Sequence, residues 1–268
     1  MFAEEQLISF LHILGLRRNR LGGRHKQVQS HETHAAHQLY QLSTLNAIME
    51  GAYDGEMTIG ELGAHGNFGL GTFNELDGEM IMVDGVVYQA LADGQVCIAD
   101  ATAQTPFAVV QFFTPEWQEP IHSSLAFDDL RIVLADHLPS TNYFYALRID
   151  GKMATVRARS VERQQQPYRP LVEVVKEQHI FEFENVTGTI VGFRFPDYAQ
   201  GVNMPGWHLH FISADRQYGG HVLDFTATEG QIAIEHTTDF FMELPENPQF
   251  AQADLDKDQT QAVAQVER

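Results

Sequence analysis

Apolar and polar positions alternate through much of the second half of the chain. Residues 143–150, 153–159, 180–183, 187–195 and 232–236 read as strands, because successive strand side chains point to opposite faces. Asp150-Gly151 reads as the turn between the first two. Earlier, residues 79–83 and 86–90 flank Asp84-Gly85, and Asp77-Gly78 precedes them, which is the turn chemistry of a β-meander. Residues 107–113 form a buried strand by composition. Phe68-Gly69-Leu70-Gly71-Thr72-Phe73 is glycine-rich for a strand interior, which predicts a bulge or the close approach of another segment.

Helical periodicity is rarer. Leu39, Leu42, Leu45, Ile48 and Met49 recur on one helix face, closed by Gly51 and Asp54-Gly55. Gly60-Glu61-Leu62-Gly63 gives a short helical piece and residues 124–134 another, and Asp258 caps a last helix running to Glu267. Residues 1–36 differ from the rest. A short amphipathic helix over 4–14 leads into Arg17-Arg18-Asn19-Arg20 and a polar run with His31, His34 and His37. That run has no carboxylate or cysteine frame, so a solvated extension is expected instead of a metal tract. The polar, proline-bearing residues 164–170 mark a boundary. The expected parts are an extension (1–36), an α/β part with a mixed sheet (37–166) and a β-rich part (167–268). The fold class is α+β, β-rich, with two sheet or barrel-like parts and few helices.

Composition narrows the function. The 268 residues are 44% hydrophobic, enough for a sizeable core, and carry a net charge of −19. No basic surplus exists to neutralise phosphates, so a nucleic-acid partner is not expected, and an anionic substrate needs a local cation. No membrane span is expected: the apolar run 7–16 is short, contains His12 and follows Glu4-Glu5, unlike a secretory leader. Cys97 is the only cysteine, which rules out an intramolecular disulfide and fits a reducing, cytoplasmic compartment.

The candidate chemistry lies in Gly206-Trp207-His208-Leu209-His210-Phe211 and Gly219-Gly220-His221-Val222-Leu223-Asp224. The polar residues between them end in two glycines, so a β-hairpin is expected. His208 and His210, two apart, share a strand face. A hairpin symmetric about Asp215-Arg216 sets His210 opposite His221 and His208 opposite Leu223. Three imidazoles then reach one ion at about 2.0–2.1 Å, leaving the open position that a catalytic zinc keeps. Spacing alone leaves a second reading open: two half-exposed strand histidines and an unrelated third. Asp254-Leu255-Asp256-Lys257-Asp258 starts like a calcium loop, but Gln259 and Gln265 stand where glycine and glutamate are required.

Several separated stretches resemble the acetolactate decarboxylase family, in collinear order from about Gln38 onward. They are Gly71-Thr72-Phe73-Asn74 with Leu76-Asp77-Gly78-Glu79, Arg159-Ser160-Val161 with Arg163-Gln164 and Pro167-Tyr168, Gly188-Thr189-Ile190-Val191-Gly192-Phe193-Arg194, and residues 201–224. The resemblance implies conversion of (S)-2-acetolactate to (R)-acetoin and carbon dioxide, with Zn2+ held by His208, His210 and His221. It also implies active-site roles for Thr72, Glu79, Arg159 and Glu267, a cavity between two β-rich parts, and a homodimer. From the residues alone, Glu79 equally reads as an exposed strand residue beside a turn. Arg159 reads as one of a basic face with Arg157 and Arg163, and Glu267 as a solvated terminal side chain. Two other classes stand beside the family reading. A cupin-type metal enzyme also uses His-x-His, but its following glutamate is missing here, where residues 214 and 215 are alanine and aspartate. The other is a small-ligand or metal-binding module without turnover.

Overall fold

The computed structural model describes residues 37–134 and 137–266, and its strands sort into two large sheets and a two-stranded ribbon. The expectations for residues 1–36 lie outside the described residues. The first sheet has seven strands in the order Asp239–Glu243, Gln38–Leu42, Ala108–Gln111, Phe68–Thr72, Glu79–Val83, Val86–Ala90 and Val96–Ile98. The pair Gln38–Leu42 and Asp239–Glu243 is parallel, and the other neighbours are antiparallel. The glycines of Phe68–Thr72 mark a close approach, as expected. A Cβ on Gly71 would sit 2.3 Å from the Phe107 carbonyl oxygen, and one on Gly69 2.4 Å from a Val110 methyl.

The second sheet curls into a ring. Phe144–Ser160 pairs with His179–Phe195, which pairs with Gly206–Ser213. Gly206–Ser213 pairs in turn with residues 219–221 of Gly219–Thr237, and that strand returns to Phe144–Ser160. Trp117–Ile121 and Leu125–Ala126 add to the free side of Gly219–Thr237. One apolar cluster packs within the ring, with Leu147, Ile190, Phe211 and Phe225 fully buried. Another joins the sheets: Phe68, Leu70 and Ile81 from the first meet Ala146, Val191 and Phe193 from the ring. Each large side chain buried there stabilises the docking by roughly 1.5–3 kcal/mol. A polar joint lies beside it. Glu235 of the ring is fully buried, accepts from Thr114 N at 2.6 Å and from Gln111 Nε2 at 2.8 Å, and meets His37 Nδ1 at 2.9 Å. Burial holds its pKa above the usual carboxylate value.

Several elements differ from the sequence expectations. Asp150-Gly151 does not turn, because Phe144–Ser160 is one 17-residue strand. Gly151 faces Gly188 on one neighbour and Gly230 on the other, and a Cβ there would lie 2.0 Å from the Glu229 carbonyl oxygen. The glycine answers a crowded strand crossing, not a reversal of the chain. Likewise residues 180–183 and 187–195 belong to the single strand His179–Phe195. Gln38–Leu42 is a strand, flanked on both sides and buried at four of its five positions, so its leucines satisfy burial on two faces instead of one helix face. The helix begins only at Leu45–Met49, after Ser43 at φ +66° and with Thr44 as its N-cap. Within 124–134 a 3-10 turn, Phe127–Asp129, runs into the short α-helix Leu130–Val133. Ile132 and Val133 are exposed, so no continuous apolar face extends it. The last helix is Thr260–Val266; Gln259 O accepts its first backbone bond, and Asp258, one residue earlier, accepts from Thr260 N. Residues 164–170 connect neighbouring strands of the ring. Among the described residues no helix is long and apolar enough to cross a membrane.

Candidate metal centre and active site

The hairpin register pairs His210 with His221, as the sequence predicts. The ladder stops there, so the expected His208–Leu223 pair is not part of it. The reason is an extra residue at Leu223: Arg157 faces Asp224 while Ala158 faces Val222. A bulge of this kind bends a strand and re-aims its side chains. Here it turns Gly219–Thr237 away from Gly206–Ser213 and sets His221 directly across from Arg159.

The three imidazoles converge. Ring centroids of His208 lie 5.0 Å from those of His210 and His221, which are 5.4 Å apart. One ligand nitrogen from each falls within 4.8 Å of the others. His210 Nδ1 lies 2.8 Å from the Met80 carbonyl oxygen. A carbonyl only accepts, so Nδ1 carries the proton and Nε2 keeps its lone pair. That Nε2 is buried with no hydrogen bond. Burial, the neighbouring His221 and Arg159 hold His210 well below the ordinary histidine pKa, and burial and Arg159 do the same for His221. Both are therefore neutral at physiological pH, the state in which imidazole binds a metal. On tautomer, burial and donor type, the residues fit a divalent ion of the zinc class.

The other candidates come from both sheets. Thr72 and Glu79 face each other across neighbouring strands of the first sheet. Thr72 Oγ1 donates to the Gly78 carbonyl at 2.7 Å, and Glu79 Oε2 lies 3.5 Å from His210 Nε2. Glu79 is nearly buried, which removes the exposed-strand alternative. Thr155, Arg157 and Arg159 share a strand face, but that face is exposed at the first two and buried at Arg159, only 4% exposed. The Nε of Arg159 is buried without a hydrogen bond. A cavity of about 60 Å³ is lined by Thr72, Glu79, Arg159, His208 and His221, and closed by apolar side chains of short helices such as Ile48, Leu171 and Val266. Glu267 lies outside the described residues. Sequence reasoning missed the Met80 carbonyl and the apolar wall. The carbonyl carries no side-chain signal, and the wall's residues are indistinguishable from core by pattern.

Residues 39–257 match the family model described as alpha-acetolactate decarboxylase. A relative of that name from Methylococcus capsulatus is 46% identical over 238 residues, covering 87% of this chain and 90% of its own. The one from Bacillus subtilis is 42% identical and covers 82% and 86%. The crystal structure of alpha-acetolactate decarboxylase from Bacillus subtilis matches with a TM-score of 0.84 at 41% identity, over 86% of this chain and 99% of that one. A Staphylococcus aureus protein described as similar to alpha-acetolactate decarboxylase gives 0.80 at 32% identity, over 85% and 98%.

Proposed function

The chain belongs to the alpha-acetolactate decarboxylase family and so decarboxylates acetolactate, and we propose that it does this with a zinc ion held by His208, His210 and His221. The observation that carries the metal reading is at His210, whose Nδ1 is fixed by the Met80 carbonyl while Nε2 is buried without a hydrogen bond beside two further imidazoles. When bound, zinc supplies a Lewis acid for the oxygen on which charge develops and keeps a position open for substrate.

Acetolactate is a β-keto acid with a hydroxyl on the reacting carbon. When its carboxylate leaves as carbon dioxide, the electron pair of the broken bond moves onto the ketone oxygen and leaves an enediolate. A proton delivered to carbon then gives acetoin, the (R) form from (S)-2-acetolactate. Arg159 is a buried cation in a chain of net charge −19, and its planar fork suits a carboxylate or diolate. Arginine stays charged and is a poor acid, so it orients and stabilises. Glu79 is the proton carrier, close to His210 and nearly buried. Glu267 is the alternative carrier that the resemblance implies. Thr72 lines the cavity and spends its hydroxyl proton on Gly78 O, so its lone pairs remain to accept from the substrate hydroxyl. The apolar wall keeps bulk water out and strengthens the field of Arg159. The same reading carries a homodimer and a cytoplasmic location. The exposed free thiol of Cys97 supports a reducing compartment.

Carbon dioxide release from acetolactate, before and after chelation, tests this. Activity should disappear with the metal and return with zinc. Recovery with iron alone would point to the cupin-type chemistry, and no release under any condition to a binding module. Full activity in protein verified as metal-free would remove the ion from the reaction.

A further inference from the structure

The residues lining the reaction cavity are of two chemical kinds. Thr72, Glu79, Arg159, His208 and His221 are the polar kind. The rest of the lining is apolar, with Leu76, Phe107, Val161, Leu171 and Val266 among it, all at most 7% exposed and all in the cluster that joins the sheets. The free volume is about 60 Å³. A water needs roughly 10–15 Å³ on that measure, so the space holds only a few waters.

The substrate's stereochemistry meets this division in one way. The reacting carbon of acetolactate is tetrahedral. Three of its substituents carry oxygen: the carboxylate, the hydroxyl and the acetyl group. If all three engage the polar residues, the fourth, a methyl, points away from them and meets the apolar lining. That lining comes from separate elements. Val161 follows Arg159 by two positions, Leu171 opens the short helix Leu171–Val174, and Val266 ends Thr260–Val266. Because all three belong to one close-packed cluster, a longer alkyl group cannot be fitted by a small local shift.

Resting on the decarboxylase reading above, we propose that Val161, Leu171 and Val266 form a size gauge for the alkyl substituent on the reacting carbon. The gauge admits methyl and penalises each added methylene. It makes these side chains specificity determinants that touch the non-reacting end of the substrate. Discrimination by one methylene in such a pocket is about 10–200-fold.

The test compares kcat/KM for carbon dioxide release from acetolactate and from its homologues bearing ethyl or propyl in place of that methyl. In the unaltered enzyme the value should fall by about tenfold or more from methyl to propyl. Leu171→Ala removes the larger obstacle and should raise the propyl-to-methyl ratio by about tenfold or more. Val161→Ala removes two methyl groups and should raise it by several-fold, and it serves if Leu171→Ala folds poorly. The ratio is internal to each preparation, so a merely structural loss lowers all substrates together and leaves it unchanged. An unchanged ratio in folded Val161→Ala, or equal turnover of methyl and propyl substrates by the unaltered enzyme, overturns the gauge. Failure of the unaltered enzyme to release carbon dioxide from any of the three overturns the decarboxylase reading and the gauge with it.

Discussion

Oε2 of Glu79 lies 3.5 Å from Nε2 of His210, although the two residues belong to different sheets. The next residue along, Met80, gives its carbonyl to the other nitrogen of the same ring at 2.8 Å. One strand of the first sheet thus addresses both nitrogens of a histidine in the ring. The carbonyl sets the tautomer, and the carboxylate faces the nitrogen that keeps its lone pair.

His210 should therefore be the ligand whose loss is felt most. Purified protein is expected to hold about one zinc per chain, and His210→Ala close to none, measured by elemental analysis of the folded variant. Full retention of zinc in His210→Ala would mean that the site is elsewhere.

Stability of the metal-free protein should fall on acidification. Burial, with His221 and Arg159, holds His210 well below the ordinary value of 6.5, and burial and Arg159 hold His221 there too. In the unfolded chain both imidazoles take up protons near that value, whereas in the native protein they do not. The stability they contribute is complete above pH 6.5 and is lost as pH falls from there toward the depressed native values. The slope is about 1.4 kcal/mol per pH unit for each histidine. Urea midpoints at pH 7.5, 6.5 and 5.5 measure it, and the fall should be shallower in His221→Asn. An equal fall in both proteins would assign the acid sensitivity to other groups.

Arg159→Lys keeps the charge and loses the planar fork. It should lower kcat/KM by about 10–100-fold with zinc still bound. Glu79→Gln keeps the shape and removes the ionisable proton, and should lower kcat by about 10²–10⁴-fold, more than it raises KM. Steady-state kinetics with parallel zinc analysis separates the two. Near-normal rates for Arg159→Lys would exclude the arginine from the chemistry. A normal kcat for Glu79→Gln would pass the proton to Glu267.

Gly151→Ala should destabilise the fold by about 2–4 kcal/mol, because the new methyl collides with a backbone oxygen that the ladder holds in place. Gly63→Ala is the control. Its Cβ meets nothing nearer than 3.4 Å and its φ is −60°, so stability should stay within about 0.5 kcal/mol or rise. Thermal melting of both variants checks the contrast.

The sequence was most informative where the signal is local. The histidine hairpin was legible because a period of two and a polar, glycine-ended turn together fix which residues face each other, and His210 does face His221. Asp77-Gly78 and Asp84-Gly85 sit at turns as expected, with both glycines at positive φ. Asp150-Gly151 has the same composition and runs straight on, because its glycine is required by two neighbouring strands that no local window contains. Leu39 and Leu42 misled for a similar reason: a strand buried on both faces carries no alternation to betray it. The meeting of Glu79 with His210 was invisible to spacing. It depends on the docking of two sheets, and only the family resemblance had placed Glu79 at the site.

The parallel pairing of Gln38–Leu42 with Asp239–Glu243 bears on how the protein is made. Gln38–Leu42 must wait until residues 239–243 have been made before its second neighbour exists. Residues 206–221, which hold the three histidines, leave the ribosome only shortly before that neighbour does. Pairings of such sequence separation form slowly, since a long loop must close before any contact rewards it. Until residues 206–243 have been made, the nascent chain therefore carries an unpaired edge and an incomplete histidine set. Completion of the first sheet and of the histidine set fall close together, and a chain truncated before residue 239 yields a first sheet that lacks its outer strand.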